Sequence, residues 1–149
     1  MGPFVFSLER VLSWRSSILT REEAKLELLR GELNALERTQ LELRRQRLAT
    51  RDQVHGRESV AGGDLLLLEA YGRRLDRQEL ENAASIARCC QAADTQEAVV
   101  IEARRRVRLV EKLKQRRREE WRLATDREIE TEAGEFAVTQ WRRLHAKVI

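Results

Sequence analysis

The chain has 149 residues, enough for one ordinary domain, and carries a formal net charge of +4. Charged residues make up 36% and aromatics only 5%, with a single proline at Pro3. That balance excludes a rounded, aromatic-rich globule and suits long helices joined along a narrow apolar seam, while an apolar share of 42% argues against disorder throughout.

From residue 4 onward no proline removes a backbone donor, and period-two alternation is missing, so the expected class is all-α. The first helix is predicted over about residues 7–54. A heptad grid places Leu8, Arg15, Glu22, Leu29, Leu36, Leu43 and Thr50 at d. It places Leu12, Leu19, Leu26, Leu33, Gln40, Arg47 and Val54 at a. Nine of these fourteen are apolar and eight are leucine, enough for a continuous seam.

The pattern breaks over about 55–64, which reads as the turn. Gly56 is expected to end the first helix in the left-handed conformation, and Asp64 to cap the second. The second helix is predicted over about 65–145. Its a positions are Leu65, Gly72, Glu79, Ile86, Ala93, Val100, Val107, Lys114 and Trp121. Its d positions are Leu68, Leu75, Asn82, Cys89, Gln96, Ala103, Val110, Arg117 and Ala124. Small residues along this seam suit close approach of a leucine-rich helix, and Cys89 reads as a small buried hydrophobe. The expected architecture is a single domain, a long two-helix antiparallel coiled-coil hairpin with an extended C-terminal helix. Leu8 then faces a position near Glu111, and the residues C-terminal to that position have no helix-one partner. This overhang keeps Leu113, Trp121, Ile129, Phe136, Trp141 and Leu144, an apolar stripe of the kind that marks a contact site.

Charge is polarised along the second helix. Residues 104–118 hold nine cations, Arg104, Arg105, Arg106, Arg108, Lys112, Lys114, Arg116, Arg117 and Arg118, against the one acid Glu111. Glutamates then dominate from Glu119 to Glu135. Such a run docks an acidic protein surface, neutralises phosphates of a nucleic acid, or is a solvated flank of a coiled coil. The first reading is favoured, because the stretch lacks residues placed to read bases. Trp121 and Trp141 on a thin helix read as interface anchors, with Trp14 extending the contact surface.

Catalytic motifs are missing: His55 and His145 are isolated, and there is no phosphate loop or nucleophile elbow. Neither a metal nor a cofactor is expected, and the chain reads as a non-enzyme. The longest aliphatic runs fall far short of the ~20 residues a membrane span needs, so a cytoplasmic address is expected.

Several segments resemble the FliJ family of flagellar type III export proteins. FSLERVLSWR at 6–15 is similar to the family's F-x-L-x-x-V-L-x-x-R start, and EEAKLEL at 22–28 continues it. YGRRL at 71–75 resembles its mid-chain tyrosine. VEKLKQRRREEW at 110–121 is similar to L-E-K-L-K-x-x-R-x-x-E-[YF], and EFAVTQWRR at 135–143 resembles the family's tail. The matches run in order over nearly the full length, with tryptophan at Trp121 and Trp141 where smaller aromatics are usual. The resemblance implies an antiparallel coiled coil akin to the shaft of rotary ATP synthases. It implies binding to the export ATPase ring and the export gate, with export chaperones as a further partner class. It also implies residence at the cytoplasmic face of the inner membrane, held there through those partners. The alternatives are a basic coiled-coil nucleic-acid binder and a purely structural coiled-coil scaffold.

Overall fold

The computed structural model describes residues 2–57, 59 and 61–146. It contains two helices, α1 (Glu9–His55) and α2 (Gly62–Ala146), and no strand among the described residues. The fold is the all-α antiparallel two-helix hairpin that the periodicity predicts, with α2 the longer helix. Both helices contribute to each of two compact units. One comprises residues 19–102, the other residues 1–18 and 103–149.

Within the 19–102 unit the heptad grid sets the packing. The Nε2 of Gln96 donates to the Glu22 backbone carbonyl at 3.0 Å and to its carboxylate at 2.6 Å. One heptad onward, the Cys89 thiol donates to the Leu29 carbonyl at 3.4 Å. One further, the Nδ2 of Asn82 donates to the Leu36 carbonyl at 3.0 Å and to Gln40 Oε1 at 2.7 Å. Each forward step of seven on α1 is thus a backward step of seven on α2, so d layers face d layers. Leu26, Ala93 and Val100 form a buried cluster with Leu19 and Leu29 packed against it, the large residues from α1 and the small ones from α2. Close approach of this kind brings dispersion contacts that a wider seam would forfeit. Leu75 is the most deeply buried large side chain, at 1% exposed.

Most polar residues on the grid are bound rather than stranded, the exception being Glu79, whose Oε2 meets Arg47 while its Oε1 is buried without a hydrogen-bond partner among the described residues. Asn82 is buried with both its bonds made across the seam, a device that specifies register because a slipped pairing would leave the amide unsatisfied. Arg47 lies at 3.1 Å from Glu79 and 3.5 Å from Asp76. Burial raises the Cys89 thiol pKa, with the Glu32 and Cys90 charges adding to it, so the thiol stays protonated.

The hydrogen bond from Gln96, seconded by Lys25, holds the Glu22 carboxyl below its ordinary value. A depressed folded-state pKa contributes stability that is present above the unfolded value and lost as pH falls through the folded one. Thermal melts should therefore weaken below about pH 4.3, and a Glu22→Gln chain should show a shallower acid loss than wild type. Identical acid profiles would show that the bond carries no linkage.

The ends of the grid depart from expectation. α2 begins at Gly62, because the Leu65 N–H already donates to the Ala61 carbonyl at 3.0 Å. Asp64 therefore lies inside the first turn rather than at the cap, where its carboxylate still meets the positive end of the helix dipole. Gly56 closes α1 with a bond from its N–H to the Asp52 carbonyl at 2.9 Å, and no described residue takes a positive φ. The expected left-handed stop is not used, since an ordinary helical bond ends α1. Leu65, at a grid position, is half exposed, because pairing opens toward the turn.

Candidate protein-interaction surface

In the unit of residues 1–18 and 103–149, the heptad seam of α2 continues through the buried Ala103 and Val107. α1 starts only at Glu9, its entry fixed by the Glu9 N–H donating to the Phe6 carbonyl at 3.2 Å. Ahead of it runs a non-helical arm that continues along α2. Phe6 is buried, and the Lys114 ammonium lies 6.0 Å from its ring centroid. The same ammonium pairs with Glu9 at 2.7 Å, so this cation on the grid is neutralised across the seam. Phe4 reaches Trp121, with ring centroids 6.0 Å apart and planes inclined by 57°, a tilted pair at a separation where ring quadrupoles attract.

This arm changes one expectation. Past Lys114, which pairs with the first residue of α1, the described residues place no part of α1 against α2, but Trp121 is half-buried beneath Phe4. An open groove of about 500 Å³ lies here, lined by Phe4, Phe6, Leu8, Leu113, Arg117 and Trp121 among others. The d positions Arg117 and Ala124 are exposed, because an extended arm covers less of α2 than a helix would. Heptad spacing does not single out Phe4 and Phe6. Their one signal in the sequence is that two of the three phenylalanines, spaced by two, stand directly after Pro3 and before the first heptad.

The basic run is solvent-facing apart from Lys114. Arg116 and Arg117 lie at 3.3 and 3.6 Å from Glu120. Arg104, Arg105 and Arg106 each engage a neighbour. Arg108, Lys112 and Arg118 are exposed and make no ion pair among the described residues. Trp14 is exposed, with the Arg15 guanidinium 4.8 Å from its ring centroid.

Beyond Thr125 every described residue of α2 is exposed. Ile129, Phe136 (66% exposed), Trp141 (60%) and Leu144 present their side chains to solvent. Spacings of three and four place Ile129, Ala133, Phe136, Gln140 and Leu144 on one face, with Trp141 at its edge. Trp141 stacks on His145, centroids 4.2 Å apart, and the ring Nδ1 of His145 donates to the Trp141 carbonyl at 2.9 Å. The structure thus brings Lys114, Arg117 and Trp121 together with the arm, and leaves Ile129, Phe136, Trp141 and Leu144 as a separate open stripe.

Comparison with protein-family models, with known proteins and with solved structures gives no match for this chain. No helix among the described residues is long and apolar enough to cross a membrane. What the surface offers chemically is a wide apolar and cationic contact area beside an open groove.

Proposed function

We propose that this chain is a non-enzymatic interaction protein of the bacterial flagellar type III export apparatus. In this reading it binds the export ATPase ring and the export gate from the cytoplasmic side and assists delivery of subunits. The observation that carries the reading is the apolar stripe on the last turns of α2, exposed and without an α1 residue opposite it. A helix face of that kind gains free energy only by being covered. The ordered FliJ-like segments supply the class of partner, and the two-helix hairpin is the architecture that the resemblance implies. Exposed Arg108, Lys112 and Arg118 on α2 would steer this helix toward an acidic surface of the partner.

The nucleic-acid reading is less well supported, because several cations of the run are already committed to carboxylates: Lys114 to Glu9, and Arg116 and Arg117 to Glu120. The test is reconstitution with the purified export ATPase. The chain is expected to co-purify with the ATPase ring and to change its rate of ATP hydrolysis. No association at ~10 μM, a concentration at which even a modest specific complex forms, and no change in rate would end the proposal.

A further inference from the structure

The exposed end of α2 has a charge order that its apolar stripe alone does not explain. Residues 126–135 carry five carboxylates, Asp126, Glu128, Glu130, Glu132 and Glu135, against one arginine, Arg127. Residues 136–146 carry Arg142 and Arg143 and no carboxylate. On the same stretch Ile129, Ala133, Phe136 and Gln140 recur at spacings of four, three and four, the seam of a coiled coil, and all four are exposed among the described residues. We infer that this segment pairs antiparallel with the same segment of a second copy of the chain.

Charge selects both the occupant and the orientation. A parallel pair would lay five carboxylates on five carboxylates. The antiparallel pair lays the acidic half of each copy on the basic half of the other. The seam allows the same orientation. With the two-fold axis between residues 134 and 135, Phe136 of each copy stands against Ala133 of the other, large against small. Ile129 stands against Gln140, and Arg143 reaches Asp126 of the second copy. The contact is isologous, so each of these meetings occurs twice and the assembly closes at two. Only about 30 Å of helix is involved, so the dimer is weak and depends on concentration and salt.

The pairing covers the stripe that the proposed partner would use, so the two are alternatives at one surface. It does not rest on the export assignment, however, and is read on the chain alone. The experiment is sedimentation equilibrium of the full chain across a wide concentration range, at ~50 mM and ~500 mM salt. Wild type is expected to pass from monomer to dimer and to dissociate more readily at the higher salt. Arg143→Glu alone and Asp126→Arg alone each place like charges together at two symmetric points, and each is expected to weaken association about three- to tenfold. The double variant Asp126→Arg/Arg143→Glu restores the pairing to near the wild-type level, while Phe136→Glu abolishes it. Circular dichroism of each variant checks that helix content is kept. A chain that stays monomeric at ~1 mM and low salt overturns the inference, as does a double variant no better than the single ones, since parallel pairing would be indifferent to all three exchanges.

Discussion

A Val100→Asp chain is expected to lose most of its thermal stability, while Val99→Asp melts close to wild type. The two valines are adjacent in α2, and aspartate and valine have similar intrinsic helix propensities, so the backbone cost nearly cancels between the variants. What differs is the environment. Val100 is 3% exposed in the cluster with Leu26 and Ala93, whereas Val99 is 43% exposed on the outer face. A carboxylate at residue 100 must be desolvated against leucines or must force the helices apart, and a penalty of about 3–5 kcal/mol is expected. At residue 99 the carboxylate stays hydrated, and a change within about 0.5 kcal/mol is expected. Thermal melts followed by circular dichroism decide the matter. Equal losses for the two variants would mean that the heptad seam does not hold the 19–102 unit together.

The contrast also explains why so much of this fold could be read from residues alone. A two-helix seam repeats one local rule, and the eight leucines on the α1 grid state that rule heptad after heptad. Even its polar members follow it: Glu22 meets Gln96, and Asn82 meets Gln40, because residues at grid positions face the partner helix whatever their chemistry. Where the rule stops, so does the legibility. Gly62 and Gly63 have poor helix propensity and hide the start of α2, which the bond from the Leu65 N–H to the Ala61 carbonyl nonetheless sets at Gly62. The arm has no period, so nothing in the spacing of Phe4 and Phe6 says that they will lie on α2.

The candidate surface was legible to the same degree and for the same reason. Periodicity separates the stripe of Ile129, Phe136 and Leu144 from the charged face, and the difference in helix length leaves it open. Sequence could not distinguish Trp121 from Trp141, two tryptophans each followed by arginine in the part of α2 beyond the reach of α1. Their environments are set by the arm, a contact more than a hundred residues distant along the chain.

That difference should separate the two tryptophans by experiment. Trp121→Ala removes the ring on which Phe4 rests, so it is expected to loosen the arm and cost about 1–2 kcal/mol of stability, the loss of one half-buried aromatic contact and its area. Trp141→Ala removes an exposed ring stacked on His145, so helix content and melting temperature should stay at the wild-type values. If the stripe is the docking face, the binding result runs the other way. An exposed tryptophan that becomes buried in an interface centre contributes about 2 kcal/mol or more, so Trp141→Ala should weaken partner affinity about thirtyfold or beyond. Calorimetric titration against the export ATPase, beside melts of the free variants, reads both quantities on the same samples. A Trp141→Ala chain that binds as wild type would move the docking face away from the end of α2, toward the basic run and the arm-covered groove, where Trp121→Ala would then carry the larger loss in affinity as well as in stability.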